Sequence, residues 1–351
     1  MVYKMAIIGF GGMAGWHFNG IIPKAGGFEV KGAYDIRPEA CEAIVSKGLK
    51  LYETPEEIYS DPELDLVLIA TPNDSHKPYA IACLQAGKNV ICEKPVTLNT
   101  GELEEIYAVA EKCGKFFTVH QNRRWDKDFL IINKILDDKI LTGAYLIESR
   151  VQGSRQVLHG WRGHKVNGGG MIYDWGVHLV DQMLLLIPSK LVLVDVHTHN
   201  IYTKEVDDNF ISMFRFENGV TFIVEVSNNC FISQPRWHMC CEDGTVLVDK
   251  WGNEGKIVKL KEDEEFEWGE EIVYTEAGPT RSMAPRPKKT TEEISLPEIT
   301  GDSSDYYKNI HAVLGGKESL VVTKEQAIRL MKVIDTMHES AKSRCAVECY
   351  L

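Results

Sequence analysis

No run in the 351 residues reaches the roughly 20 consecutive apolar side chains needed to span a bilayer. Residues 1–9 lack the charged start, long apolar stretch and small-residue cleavage site of a secretory leader. No C-x-x-C pair occurs among nine cysteines, an odd number scattered from Cys41 to Cys349. Reduced thiols and a cytoplasmic setting are therefore expected. Positive charge is also short. Lys plus Arg number 39 against 51 Asp plus Glu, a formal net charge of −12, and no basic stripe offsets it. Such a chain repels a phosphate backbone, so neither nucleic acid nor membrane is an expected partner. Internal repeats and low-complexity tracts are absent too. What remains, 44% hydrophobic and 26% charged residues, is the composition of an ordinary globular protein, and the length suits about two domains.

Short apolar runs at 5–9, 30–34, 66–70, 90–92 and 117–119 alternate with segments of helical composition at 38–47, 75–86 and 101–113. Continuous apolar runs of this length suit strands buried on both faces, and the alternation predicts a doubly wound parallel sheet over 1–123. The rhythm then changes. A helix at 128–137, a strand at 144–152 and a helix at 172–186 precede closely spaced runs at 191–199, 209–216, 220–226, 236–241 and 245–249. Asn218-Gly219 and Asp243-Gly244 tolerate the positive φ of tight hairpins, so these runs read as an antiparallel meander. Residues 262–299, acidic and then rich in Pro and Thr, read as an excursion loop, and helices at 302–314 and 324–342 close the chain. The expected fold class is α/β: a doubly wound N-terminal domain, then an α/β domain over 124–351 with an open, mainly antiparallel sheet.

Gly9-Phe10-Gly11-Gly12-Met13-Ala14 follows the first strand and opens a helix. Gly9 allows the tight turn, Gly11 lets backbone approach a pyrophosphate, and Ala14 permits close helix packing, the fingerprint of a dinucleotide site. Asp35, ending the second strand, is placed to accept hydrogen bonds from the adenosine ribose and to repel a 2′-phosphate, which favours NAD. Arg37, two positions on, keeps NADP possible. Thr71-Pro72-Asn73-Asp74-Ser75-His76 and Glu93-Lys94-Pro95 lie at the carboxyl ends of later strands, where open α/β sheets bind ligands. Lys94 is either a solvated surface lysine or an ammonium set over a reacting hydroxyl. In Gly168-Gly169-Gly170-Met171-Ile172-Tyr173-Asp174-Trp175-Gly176-Val177-His178-Leu179-Val180-Asp181, helical spacing puts Asp174, His178 and Asp181 on one face. That face suits acid/base chemistry, a divalent ion or plain solvation. No further ligand spacing supports an ion, so no metal site is expected. His197 and His199 share a strand face as a surface pair.

In this order the glycine loop, Glu93-Lys94-Pro95 and the 168–181 segment resemble the glucose-fructose oxidoreductase, inositol dehydrogenase and rhizopine-catabolism family, Gfo/Idh/MocA, across nearly the whole chain. His120-Gln121-Asn122-Arg123-Arg124-Trp125-Asp126 is similar to the crossover segment of its bacterial sugar and cyclitol dehydrogenases. The resemblance implies a Rossmann domain followed by the open-sheet domain. It implies that Lys94 contacts the substrate hydroxyl and nicotinamide, that His178 is the acid/base, and that Asp174 binds substrate or orients the histidine. It further implies cofactor contacts from Thr71, Asn73, His76, Glu93 and Asn122, and a substrate pocket taking in Gln152, Trp161 and Arg162. The expected activity is hydride transfer between nicotinamide and a secondary hydroxyl of a sugar, glycoside or cyclitol. A tightly bound, recycled cofactor and a non-catalytic nucleotide sensor are the alternatives. Val220, Phe222 and Val224 alternate with Ile223, so both sheet faces carry apolar side chains, and a homodimer or homotetramer is expected to cover one of them. Such assembly brings Arg281–Arg286 towards a neighbour's active-site mouth.

Overall fold

The computed structural model describes residues 1–261, 272–280 and 286–351. Strands β1 (Tyr3–Ile8), β2 (Phe28–Tyr34), β3 (Lys50–Leu51), β4 (Leu66–Ile69), β5 (Asn89–Glu93) and β6 (Phe117–His120) form a parallel sheet in the order β3-β2-β1-β4-β5-β6. Met5 to Ile8 and Leu66 to Ile69 are wholly buried. Both sheet faces are thus covered, as a parallel sheet requires, by α1 (Gly12–Trp16), α2 (Ile22–Ala25), α3 (Pro38–Ser46), α4 (Pro55–Ser60), α5 (His76–Gln85) and α6 (Thr100–Cys113). The strand order reverses between β1 and β4, which opens a crevice beyond their carboxyl ends. Gly9 turns the chain there with φ +87°, and a Cβ on it would stand 2.6 Å from the Ala70 carbonyl oxygen. Only glycine fits.

After α7 (Lys127–Asp137), β7 (Leu146–Gln152) and α8 (Val177–Leu186) come β8 (Leu191–His199), β9 (Asn209–Phe216), β10 (Thr221–Ser227), β11 (Trp237–Cys240), β12 (Gly244–Val248) and β13 (Gly255–Leu260). The five later runs do not make one continuous meander. Strand β7 enters between β10, to which it is parallel, and β11, to which it is antiparallel. The long connection from Ser227 to Trp237 cannot make the short turn of a hairpin, and the earlier strand takes the vacant edge. Nor is 262–299 all loop. Strands β14 (Val273–Thr275) and β15 (Gly278–Thr280) pair as a hairpin, and β16 (Thr291–Ile294) extends the large sheet, with Ile294 opposite Ile257. The expectation for Arg281–Arg286 lies outside the described residues except at Arg286, whose Nε donates to Thr290 Oγ1 at 3.0 Å.

Helix α9 (Asp305–Leu314), α10 (Lys324–Ser343) and β17 (Val347–Glu348) complete the chain. Among the described residues the large sheet runs β16-β13-β12-β11-β7-β10-β9-β8-β17. Its inner face, with Phe210, Phe214, Phe222, Val224 and Trp237 buried, packs on α8 and α10. The outer face is less apolar than the alternation suggested. Beside the exposed Ile211 and Met213, Arg150 pairs with Glu148 at 2.7 Å and Glu225 at 3.2 Å, and His238 Nδ1 lies 2.6 Å from Glu148. Helix α9 returns to the first sheet, where Tyr307 and His311 pack against Phe28. No described helix is long and apolar enough to cross a membrane.

Candidate functional site

Lys94 leaves the end of β5 with a cis peptide to Pro95. Its ammonium donates to Asp174 twice, to the main-chain carbonyl at 2.7 Å and to Oδ1 at 3.0 Å. Arg162, from a short 3-10 turn (Gly160–Gly163), donates from Nε to the other oxygen of Asp174 at 3.1 Å, and its guanidinium lies 4.5 Å from the Trp161 ring centre. Asp174 itself sits in a π-helical turn (Ile172–Gly176) that runs into α8. Half-buried Asp207 anchors that turn by accepting the Ile172 and Met171 amides, at its carboxylate and carbonyl respectively. Burial raises the Asp174 pKa, but Lys94 and Arg162 outweigh it and hold the carboxyl below its ordinary range.

His178 opens α8, buried, with Nδ1 lacking a protein partner. Burial first, then the positive charges of Lys94 and Arg123, push its pKa well below the ordinary histidine value. It is neutral at pH 7 and able to accept a proton. The Trp175 ring stands 5.7 Å away, the Arg123 guanidinium lies 4.2 Å from the Trp175 ring centre, and the Trp251 ring packs tilted against Trp175 with centres 5.6 Å apart. Arg123, Trp175, Trp251 and Asp207 were missed by sequence reasoning. Arg123 lay inside a motif without a role of its own, and nothing local in the β12–β13 turn marks Trp251.

Asp181 does not join this group. The π turn breaks the regular helical spacing, and Asp181 forms a buried two-point pair with Arg124, at 2.7 and 2.6 Å. Gln152 is also elsewhere. Two-residue alternation along β7 places it with Glu148 and Arg150 on the outer face, where it donates to Glu225 at 2.6 Å and accepts the Gln234 amide at 2.7 Å. His76 is buried, its ring nitrogens against the carbonyls of Pro95 and Thr71 at 3.0 and 2.9 Å. Asn73 donates to the Gly168 carbonyl at 2.8 Å, Thr71 receives the Ser75 hydroxyl, and Glu93 points into the interior between two histidines.

The crevice fits a dinucleotide. A Cβ on Gly12 would meet nothing within 4 Å and one on Gly11 only Arg37, so the backbone is bare at the start of α1, where no side chain caps the free amides. Asp35 is held ionised: burial raises its pKa, but hydrogen bonds from Arg37 and the Phe10 amide lower it further. Arg37 covers it with Nε on Oδ1 at 2.9 Å and an Nη on Oδ2 at 2.8 Å. On the other side of α1 a cavity of about 680 Å³ opens between Met13, Trp16, Asn122 and Arg123. Asn122 Oδ1 and Gln121 Oε1 are buried beside this segment without partners. These orphaned atoms and the bare loop are what a polar, phosphate-bearing ligand would satisfy.

A doubly wound sheet with a glycine-loop crevice, and a lysine–aspartate–histidine group at its mouth, defines a dinucleotide-dependent oxidoreductase class. The chain belongs to the Gfo/Idh/MocA oxidoreductases: residues 3–121 match the oxidoreductase family with the NAD-binding Rossmann fold, and 129–247 match the GFO/IDH/MocA C-terminal domain. Among solved structures, an NAD-binding protein from Listeria innocua is 39% identical with a TM-score of 0.93, covering 99% of each chain. The scyllo-inositol 2-dehydrogenase (NADP(+)) of Bacillus subtilis is 27% identical over 97% of this chain and 94% of its own. Inositol 2-dehydrogenase 2 of Saccharopolyspora erythraea is 25% identical over 65% of this chain and 68% of its own.

Proposed function

We propose that this protein is a dehydrogenase that oxidises a secondary hydroxyl of a sugar, glycoside or cyclitol with NAD, tolerating NADP. The observation that carries the reading is the Lys94 ammonium fixed on Asp174 at the end of β5, with buried His178 four residues on from Asp174 and held neutral in part by the Lys94 charge. His178 accepts the hydroxyl proton, and the fixed Lys94 ammonium stabilises the developing alkoxide. Asp174, ionised by Lys94 and Arg162, holds that ammonium in place and accepts from a neighbouring substrate hydroxyl. Nicotinamide, when bound, supplies the hydride acceptor. Trp161 and Arg162 wall the substrate side.

The division at 123/124 goes with this reading, the first part holding the dinucleotide and the second the substrate. So does a cytoplasmic setting, since all nine cysteines are unpaired. We also propose a homodimer or homotetramer formed through the outer sheet face, where apolar and paired charged side chains are mixed. Sugars, glycosides and inositols incubated with NAD or NADP test the function. Reduced dinucleotide should accumulate together with a ketone at one ring carbon. A protein that binds dinucleotide and oxidises none of them refutes it.

A further inference from the structure

Glu93 precedes Lys94 in sequence, yet its carboxylate faces away from the crevice, and the contacts it makes there are unusually complete. Its Oε1 lies 2.6 Å from His17 Nε2 and 2.7 Å from His120 Nδ1. Both histidines are fully buried and Glu93 nearly so. His17 Nδ1 in turn lies 2.8 Å from the hydroxyl of Tyr307, also buried, and Glu93 Oε2 accepts the Lys94 amide at 3.3 Å. Burial lowers His17 to about 4, so it carries one ring proton at pH 7. With that proton on Nε2 it donates to Glu93 and accepts the Tyr307 hydroxyl at Nδ1, which satisfies every polar atom of the ring. Burial opposes charge on Glu93, but contacts with His120 and His17 prevail and keep the carboxyl well below its ordinary range.

The partners come from three places. His17 belongs to a π turn (His17–Ile21) that continues directly from α1, the helix whose start is the bare dinucleotide cradle. His120 ends β6, where it pairs with Glu93 in register. Tyr307 comes from α9. The Glu93 carboxylate therefore ties the end of β5, next to Lys94, to the continuation of the dinucleotide helix and to the end of β6, and through His17 to α9. Sequence reasoning gave Glu93 to the cofactor and assigned no role to His17.

We propose that His17 and His120 are positioning residues, clamping Glu93 so that Lys94 is held in register with the dinucleotide-binding helix. Neither touches substrate; each acts through Glu93. Loss of one donor leaves a buried carboxylate underpaired and free to rotate, and the adjoining lysine loses its fixed origin. The kinetic half of this proposal rests on the dehydrogenase reading above; the hydrogen-bond geometry does not.

The test exploits the different ring atoms used. A glutamine amide reaches about as far as Nε2 and an asparagine amide about as far as Nδ1. His17→Gln should keep kcat within about threefold of wild type while His17→Asn loses about tenfold or more. At the other position the order reverses, with His120→Asn active and His120→Gln impaired. Dinucleotide affinity, read by quenching of tryptophan fluorescence with NADH, should stay within about threefold in all four. Equal losses for both amides at each position, or no loss at any, overturn the positioning role. Independently, proton NMR of the NADH-bound protein should show two strongly downfield imidazole N–H resonances that both vanish in Glu93→Gln. Their absence from wild type, or their persistence in that variant, overturns the clamp. If wild type binds NADH but oxidises no polyol, the dehydrogenase reading fails and the positioning role with it, while the resonances alone decide the clamp.

Discussion

The Lys94 ammonium is held twice by one residue, through the main-chain carbonyl and the carboxylate of Asp174. A flexible lysine fixed at two points is a charge at a defined place. It keeps Asp174 ionised and helps to keep His178 neutral. The same charge thus acts in opposite senses on its two neighbours, favouring the charged form of the aspartate and the neutral form of the histidine.

Replacing either should damage chemistry more than binding. Lys94→Ala and His178→Ala are each expected to lower kcat by about 100-fold or more, with NADH affinity retained. Steady-state kinetics and fluorescence titration separate the two effects. Near-normal turnover in both variants removes them from the reaction.

The depressed pKa of His178 gives a sign to the pH dependence. The histidine stays unprotonated as pH falls through 6.5, the ordinary value, and loses base function only below it. Oxidation should hold its rate between pH 7 and 6.5 and fall further down. Arg123→Gln removes one of the charges that oppose protonation, so the acid limb of the kcat profile should move to higher pH. A limb that stays in place would show that Arg123 does not act on His178.

Burial of neutral histidines also links stability to acid. His17 and His338 are lowered to about 4 by burial, whereas in the unfolded chain they titrate near the ordinary histidine value of about 6.5. Between these values the unfolded state binds more protons, so their contribution is present above 6.5 and lost as pH falls towards 4. Thermal unfolding followed by circular dichroism should show Tm dropping across this window, and His338→Leu should flatten the slope. An unchanged slope would assign the acid sensitivity elsewhere.

At the adenosine end, Asp35→Ser removes both the ribose acceptor and the charge opposing a 2′-phosphate. Calorimetric titration should show weaker NAD binding and a smaller preference for NAD over NADP. An unchanged ratio would move selection to Arg37 or another group.

Asp181 is predicted to serve the fold. Arg124→Met strands its buried carboxylate and should destabilise the protein by about 3–5 kcal/mol in denaturant unfolding. A fully stable variant would show that the pair contributes little.

The doubly wound half was legible because a strand buried on both faces reads as an apolar run, and β1 and β4 are such runs. Lys94, Asp174 and Arg162 were reached through motifs, and the structure brings them together. The large sheet was legible in its strands but not in its order. Pairing of β7 with β10 joins residues far apart in sequence, and no local signal encodes it. Asp181 was misplaced by a regular periodicity that the π turn breaks, and Gln152, named through the family resemblance, lies on the outer face of β7, which only the sheet's packing decides. The contacts of the Glu93 carboxylate were not legible, because its two histidine partners arrive from α1's continuation and from β6, contacts that only the fold creates.

The central claim is that hydride passes from a polyol carbon to nicotinamide beside Lys94 and His178. The most direct measurement incubates the protein and NAD with carbon-deuterated inositols and methyl glycosides, then weighs the dinucleotide by mass spectrometry. Reduced dinucleotide carrying one deuterium from at least one polyol, and none with His178→Ala, is the result predicted. Bound dinucleotide that stays oxidised and unlabelled with every polyol would contradict it.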